Sequence, residues 1–328
     1  MLKCIKKSLT QDTSSGTVQG AVNLSGTLAG AGSLTLAGAF NFNGGLILNS
    51  GGVYANGTLN ITNSPALGEY EGSLGVGLLV NNGVATWDSG NLVLNGGGVV
   101  SNTANGIINW NAAGTVNNQP PTLFANAGQI NVNIGGGNTA TIDGPFNNSG
   151  TVNIQSGTLS AIGGYTSTNG TLNFGIISTS SFGQLALPGH FALNDTLGAV
   201  ANGYTPRAGD SFPLISYGSE TGIFNAFNLP PDANWEINYG KTVFSLVVSN
   251  LNAPFLTLQP VTPPLITNGF TLLMLGPIGS NYMIQASTNL SLSDWVTLTN
   301  STSVDTSFYY TDTTATNHTS RVFRAVMQ

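Results

Sequence analysis

Residues 124–154 read FANAGQINVNIGGGNTATIDGPFNNSGTVNI and contain one short pattern twice, starting at Phe124 and again at Phe146. Each copy runs Phe-x-Asn-x-Gly and continues into a five-residue motif, Gly-x-apolar-Asn/Thr-apolar. Seven copies of the five-residue motif begin at Gly32, Gly57, Gly83, Gly106, Gly128, Gly150 and Gly170, at intervals of 25, 26, 23, 22, 22 and 20 residues. Repeats of about 20 to 26 residues with short alternating runs are typical of a solenoid.

The spacing of the apolar residues indicates strands rather than helices. Leu59 and Ile61 lie two residues apart, as do Val152 and Ile154, and two is the period of a β-strand. Glycine recurs every few residues, so no helix of ordinary length fits, and Asn-Gly pairs mark turns. The repeat therefore predicts an all-β fold, a single-stranded right-handed parallel β-helix (a β-solenoid) with roughly three short strands per coil. A leucine-rich repeat is the alternative, although its longer consensus is missing.

The same alternation predicts a row of polar side chains on the surface. If Leu59 and Ile61 point inward, Asn60 points outward, and stacking places its equivalents about 4.8 Å apart. This predicted surface ladder consists of Thr35, Asn60, Thr86, Asn109, Asn131, Asn153 and Asn173. Stacked repeats produce such rows automatically, so a stabilising role is the preferred interpretation. Binding of glycans or ordered water, including ice, is the alternative.

Charge is scarce and unevenly distributed. Charged residues make up 6% of the chain, against about 25% in an average soluble domain. No Lys or Arg lies between Lys7 and Arg207, which argues against nucleic acid and anionic membranes as partners, because both require basic side chains. Cys4 is the sole cysteine, so no disulfide framework or thiolate metal site is expected. No apolar run is long enough for a transmembrane helix.

The coils offer few groups for catalysis. Some β-helix enzymes cleave uronate polymers with a basic residue, and glycoside hydrolases need paired carboxylates. The acidic residues of the coils, Glu69, Glu71, Asp88 and Asp143, differ in their positions within the repeat. Glu69 and Glu71 share one strand face by spacing and could bind a cation or act as an acid–base pair. Solvated loop residues are the preferred interpretation.

The histidines and tryptophans do not point to a site either. His190 and His318 are the only histidines, and they lie in different modules, so neither a triad nor a zinc site is expected. Trp87 and Trp110 occupy the same inward position of the repeat, which predicts stacked aromatic rings in the core rather than a sugar-binding platform. We therefore expect no catalytic residue, no metal and no cofactor.

The segment 165–248 carries a second set of motifs. They are Phe182–His190, Leu197, Asn202–Pro206, Ala208–Ile215, Thr221–Phe224, Trp235–Gly240 and Leu246. In this order they resemble the C-terminal section of the passenger region of bacterial autotransporter-like and adhesin-like surface proteins. The resemblance covers about a quarter of the chain. It implies the last coils of a β-helix with their cap, and a secreted or cell-surface protein.

The composition changes at Ala253-Pro254, where a proline-rich linker precedes a run of alternating segments. Turn residues separate these segments, which predicts a small antiparallel β-sandwich. The tail resembles C-terminal modules of secreted proteins from Verrucomicrobia-like bacteria. The matching residues are Tyr282–Leu290, Trp295, Leu298, Phe308, Asp312 and Arg321–Ala325.

Four segments follow from these patterns: an N-terminal tail at 1–16, β-helix coils at 17–180, terminal coils and cap at 181–250, and the β-sandwich module at 254–328. The tail has the charges of a signal peptide without its apolar segment, so either export uses another route or the chain is a fragment of a larger one. We expect the fragment, because the repeat begins almost at once. The predicted function is a non-enzymatic, secreted or cell-surface, adhesin-like structural protein, a monomer or part of a larger chain. Glycans or other cell-surface proteins are the expected partners. A glycan-binding or polysaccharide-processing β-helix module is the alternative.

Overall fold

The chain folds into two compact units, Met1–Val248 and Ser249–Gln328. The structure, a computed structural model, describes residues 3–5, 9–11, 14–68, 77–118, 122–231, 233–249, 255–257, 269–275, 281–288, 294–302 and 307–327. The boundary between the units falls close to the predicted linker.

The first unit is a parallel β-solenoid, as the repeat predicts. Up to Tyr165–Ser167, each coil contributes one strand to each of three faces, and each strand pairs in parallel with its equivalent one coil further along. Beyond Tyr165–Ser167, the described parallel strands belong to the first and second faces. The pairing of Thr58–Thr62 with Val84–Trp87, and of that strand with Ile107–Trp110, shows the register: Asn60 lies beside Thr86, and Thr86 beside Asn109. Strands this short hold together because every coil is hydrogen-bonded to two neighbours.

The strands of the three faces have the following bounds. The first face contains Lys3–Ile5, Val22–Leu24, Phe40–Asn43, Thr58–Thr62, Val84–Trp87, Ile107–Trp110, Gln129–Asn133, the start of Thr151–Ala161, Thr171–Ser178, Thr196–Ala201 and Ala226–Asn228. The second face contains Leu9–Gln11, Thr27–Gly30, Leu46–Asn49, Ala66–Leu67, Leu92–Leu94, Thr115–Asn118, Thr139–Ile142, the end of Thr151–Ala161, Ser181–Leu193 and Ser211–Gly222. The third face contains Gly16–Val18, Leu34–Leu36, Val53–Ala55, Leu78–Asn81, Val99–Asn102, Leu123–Asn126, Phe146–Asn148 and Tyr165–Ser167.

Two described segments of the predicted N-terminal tail, Lys3–Ile5 and Leu9–Gln11, are strands of the solenoid. Lys3–Ile5 pairs in parallel with Val22–Leu24, and Leu9–Gln11 pairs in parallel with Thr27–Gly30. The predicted boundary at residue 16 is therefore wrong. These strands lie before Gly32, where the first copy of the motif described above begins. The coils at this end are short, so the spacing of the later copies does not predict them.

The core of the solenoid consists of the inward-pointing apolar residues of all three faces. Leu59 and Ile61 are buried, as alternation predicts. Trp87 and Trp110 are also buried, and their rings stack with centroids 4.2 Å apart and planes at 12°. The prediction of stacked core tryptophans is thus confirmed.

The glycine that opens the motif is required by the close approach of neighbouring coils in the copies from Gly57 to Gly150. A Cβ on Gly83 would lie 2.0 Å from the carbonyl oxygen of Gly57, and one on Gly150 would lie 2.1 Å from that of Gly128. Both contacts are with backbone, which cannot move aside without disrupting the stack. The repeated glycine therefore follows from packing between coils.

Antiparallel strands end the solenoid. Trp235–Tyr239 pairs with Val243–Val248, and the latter pairs with the long strand Ser211–Gly222. Aromatic rings fill this end, since Phe224 lies 5.0 Å from Phe244 between ring centroids, and Tyr239 lies 5.1 Å from Phe244. At this end of the solenoid, the pairing of the strands therefore changes from parallel, as in the preceding coils, to antiparallel.

The second unit consists of two small antiparallel sheets and a short 3₁₀ helix, Ala315–Asn317. One sheet contains Phe255–Thr257, Phe270–Leu275 and Ser307–Asp312, and the other contains Asn281–Ser287, Val296–Thr302 and Val322–Met327. Leu272 and Met274 of the first sheet share a buried cluster with Tyr282 and Ile284 of the second. This shared core is that of a small sandwich, as predicted. Across the described residues, no helix has the length and apolar character needed to span a bilayer.

Candidate functional site

The structure brings six of the seven residues of the predicted surface ladder into one row on the first face. Asn60, Thr86, Asn109, Asn131, Asn153 and Asn173 are neighbours in register. Thr35 is the exception: it lies on the third face, between Thr17 and Tyr54. Its motif, Gly32-Ser-Leu-Thr-Leu36, matches the repeat in residue type but forms a strand of the third face. The prediction that Thr35 belongs to this row is therefore wrong.

Two further members of this row, Asn23 and Asn41, were missed. They lie in register with each other, and Asn41 lies in register with Asn60. The signal was present in the sequence, because Gly20-Ala-Val-Asn-Leu24 and Gly38-Ala-Phe-Asn-Phe42 both match the motif. These first coils are shorter than the later ones. Gly20, Gly38 and Gly57 are 18 and 19 residues apart, whereas Gly32 lies 25 residues before Gly57, an interval that fits the later repeats.

We call this row, Asn23, Asn41, Asn60, Thr86, Asn109, Asn131, Asn153 and Asn173, the outer ladder. Its amides are hydrogen-bonded to one another in two runs, Asn23 to Asn60 and Asn109 to Asn173, on either side of Thr86. The Nδ2 of Asn153 donates to the Oδ1 of Asn131 at 2.8 Å, and that of Asn173 donates to the Oδ1 of Asn153 at 2.8 Å. These side chains are half-buried. Donors and acceptors of these amides are thus paired with neighbouring asparagines, which stabilises an uncharged face. Fewer hydrogen-bonding groups remain for a ligand.

A second row of asparagines lies inside the solenoid, where the third face bends toward the first. We call Asn81, Asn102, Asn126 and Asn148 the inner ladder. Asn81 donates to Asn102 at 2.8 Å, Asn102 donates to Asn126 at 2.7 Å, and Asn126 donates to Asn148 at 2.7 Å, each from Nδ2 to Oδ1. All four are buried. Their Nδ2 groups also reach backbone carbonyls, as Asn102 does at Gly106 and Gln129, so this row fixes the bend of each coil.

The sequence contained a signal for the inner ladder as well. Asn126 and Asn148 are the asparagines of the Phe-x-Asn-x-Gly column that is repeated at Phe124 and Phe146. The rule that polar residues point outward does not predict their burial, although both side chains are buried. A polar residue between an inward aromatic residue and a turn glycine, at the same place in successive coils, marks a buried hydrogen-bonded position.

The inner ladder ends at a buried carboxylate. Asn148 Nδ2 donates to the Tyr165 hydroxyl at 3.1 Å, and this hydroxyl donates to Asp195 Oδ2 at 3.0 Å. The other oxygen, Asp195 Oδ1, accepts hydrogen bonds from the Ser167 hydroxyl and, at 3.0 Å, from the Gly170 amide. Burial raises the pKa of Asp195, although the donated hydrogen bonds oppose it, and burial with the neighbouring carboxylate also raises the pKa of Tyr165.

The raised pKa of Asp195 predicts a pH dependence of stability. The folded state binds the proton more tightly than the unfolded state, whose carboxyl titrates near 3.8. The contribution of this group is therefore complete below that value and is lost as pH rises through the folded pKa. We expect the free energy of unfolding of the wild type to fall relative to Asp195→Asn as pH rises from about 3.5 to about 7. Urea unfolding at several pH values measures this difference, and Asp143→Asn, at an exposed turn, is the matched control. A difference that is constant or grows with pH would contradict the assignment.

An open groove runs along the third face, above the inner ladder. It has a volume of about 210 Å³. One side is the row Ser101, Ala125, Asn147 and Thr166, which are neighbours in register, and the other side lies two residues further along each coil, at Ala127, Ser149 and Thr168. The inward-pointing Asn102, Asn126 and Asn148 separate the two sides and lie beneath the groove. The groove therefore crosses successive coils along the axis of the solenoid.

The acidic candidates for chemistry are not brought together within the described residues. Glu69 and Glu71 lie outside the described residues. Asp88 follows a strand of the first face and accepts a hydrogen bond from Asn111 at 2.9 Å, whereas Asp143 is exposed after a strand of the second face. Nowhere among the residues described do three His, Cys, Asp or Glu side chains cluster closely enough to hold a metal ion.

The two histidines lie in different units. His190 is exposed on the second face, and its ring nitrogens lie 3.1 Å from the hydroxyls of Ser219 and Thr221. His318 is exposed after the 3₁₀ helix of the second unit. Both ring nitrogens of His190 therefore face hydroxyls, whereas the imidazole of a catalytic triad is oriented by a carboxylate at one of its nitrogens.

No protein-family model matches the sequence, and no curated protein gives a significant match.

Proposed function

We propose that the protein is a non-enzymatic, adhesin-like structural component of a secreted or cell-surface assembly. The observation that carries this proposal is the outer ladder, whose amides are hydrogen-bonded to one another over successive coils in two runs on either side of Thr86. A face that satisfies its own polar groups is suited to a persistent rod, because it needs no ligand and tolerates changes in ionic strength. The inner ladder supports the same role, since it cross-links coils through the core.

The low charge of the coils supports an extended structural role over catalysis. Catalysis of glycan cleavage uses carboxylates held at a defined separation or a base beside a bound cation. Asp88 and Asp143 follow strands of different faces, and Asp195 is spent on the network of Tyr165, Ser167 and Gly170. The resemblance of segment 165–248 to passenger regions is the basis for the proposed secreted or cell-surface location.

Two measurements test this proposal. A reducing-sugar assay on neutral and uronate polysaccharides should give no product above the blank, whereas product that disappears in Glu69→Gln would show a hydrolase. Fractionation of the source cells, followed by detection with an antibody, should place the protein in the medium or at the cell surface. Recovery in the cytosol alone would contradict the location.

A further inference from the structure

The groove on the third face differs from the outer ladder in the state of its polar groups. The side chains of Ser101, Asn147 and Thr166 make no hydrogen bond to any other described residue, and Asn147 and Thr166 are exposed. In the outer ladder, by contrast, Asn131, Asn153 and Asn173 bond to one another. We propose that this groove binds a neutral, hydroxyl-rich glycan segment lying along the axis of the solenoid. The proposal goes beyond the structural role and does not depend on it.

The chemistry of the lining fits sugar hydroxyls. Ser101 and Thr166 each supply a hydroxyl that donates and accepts, and the Asn147 amide supplies two donors and one acceptor oxygen. A glycan hydroxyl also both donates and accepts, so each of these side chains can pair with it. The repeat along the groove is about 4.8 Å, the distance between neighbouring strands, so polar groups recur at short intervals along a bound chain.

The charge of the groove selects against acidic polymers. Its lining consists of hydroxyl, amide and methyl groups, without a charged side chain. The chain carries a net charge of −6, and no Lys or Arg lies between Lys7 and Arg207 to neutralise a uronate or a sulfate. A carboxylate in the groove would lose hydration without gaining a cation, which is unfavourable. The ligand is therefore neutral.

The shape of the groove limits how the ligand is held. Ala125 and Ala127 leave the space that larger residues would fill, and the backbone beneath them is held by the inner ladder through Asn126. A surface fixed in this way loses little entropy on binding. The volume of about 210 Å³ is below the range of about 300–1,000 Å³ typical of enclosing pockets, so the groove contacts one side of a glycan and affinity is modest.

The experiment uses the whole chain in affinity electrophoresis through gels that contain hydroxyethylcellulose, galactomannan, soluble starch or polygalacturonate. We expect retardation by at least one of the three neutral polymers and none by polygalacturonate. Ala125→Phe fills the groove from an outward-facing position and should weaken binding about fivefold or more, which corresponds to about 1 kcal/mol. Asn147→Ala should weaken it in the same direction without adding bulk.

Thr86→Phe is the matched control, since it places the same side chain on the outer ladder and should leave binding unchanged. Melting temperatures and circular dichroism show whether each variant keeps its fold. The proposal is overturned if none of the neutral polymers retards the protein, if polygalacturonate alone retards it, or if folded Ala125→Phe and Asn147→Ala both bind as the wild type does. The proposed structural role is contradicted by different results, namely hydrolysis of a polysaccharide or recovery of the protein in the cytosol alone. The failure of one proposal can therefore be distinguished from the failure of the other.

Discussion

Asn126→Ala should lower the free energy of unfolding of the solenoid by about 3–5 kcal/mol. Asn126 Oδ1 accepts from Asn102 at 2.7 Å, and its Nδ2 donates to Asn148 at 2.7 Å and to the carbonyls of Gly128 and Thr151 at 3.3 Å. Truncation leaves several of these buried groups without a partner, and each costs about 1–3 kcal/mol. Equilibrium unfolding in urea, followed by far-ultraviolet circular dichroism, measures the change.

The matched control is Asn153→Ala in the outer ladder. Asn153 also donates to one asparagine and accepts from another, at 2.8 Å each, but it is half-buried and water can replace the lost partners. We expect a loss of about 1 kcal/mol. Equal losses in the two variants would show that the buried amides of the inner ladder stabilise the coils no more than the half-buried amides of the outer ladder do.

Trp110→Ala should also cost about 3–5 kcal/mol, because it removes a fully buried ring and the partner that stacks on Trp87. The thermal midpoint should drop, and the near-ultraviolet circular dichroism of the tryptophan pair should weaken. A loss below about 1 kcal/mol would mean that the two rings are not stacked in the core.

Phenylalanine variants sharpen this test, since the two tryptophans differ at the indole nitrogen. Trp87 Nε1 donates to the carbonyls of Ser89 and Gly90, at 3.2 and 3.1 Å. Trp110 Nε1 is buried and has no partner within the described residues. Trp87→Phe should therefore cost more than Trp110→Phe, although both remove the same atoms. The reverse order would contradict the assigned hydrogen bonds.

The architecture of the first unit could be predicted because its signals are local. Alternation of Leu59 and Ile61 around Asn60 defines a strand and its inward face without reference to distant residues. The stacking of Trp87 on Trp110 followed from their equal positions in adjacent copies. The sandwich of the second unit was predicted in the same way, from alternating segments separated by turns.

Register was harder to predict, because it depends on the length of each coil. The motif at Gly32 predicts a place for Thr35 in the surface ladder, yet the first coils are short and this copy of the motif falls on the third face. Local sequence cannot distinguish faces that share the pattern apolar-Thr-apolar. Only the pairing of Thr35 with Thr17 and Tyr54 reveals the face to which it belongs.

The inner ladder and its end at Asp195 could not be predicted by the rule that polar residues point outward. Burial of Asn126 is favourable only because Asn102 and Asn148 occupy equivalent places in the adjacent coils. The same holds for Asp195, whose partners Tyr165 and Ser167 lie 30 and 28 residues earlier in the chain. The groove was missed for a related reason, since its two sides come from several successive coils.

The register of the coils is tested most directly by pyrene excimer fluorescence on pairs of cysteines in a Cys4→Ser background. Pyrene labels at Asn153→Cys and Asn173→Cys should give strong excimer emission, because these residues are neighbours on adjacent strands of the first face. Labels at Thr35→Cys and Asn60→Cys should give monomer emission, since these residues lie on different faces. Excimer emission from the second pair and not from the first would contradict the stacked register on which the outer ladder, the inner ladder and the groove all depend.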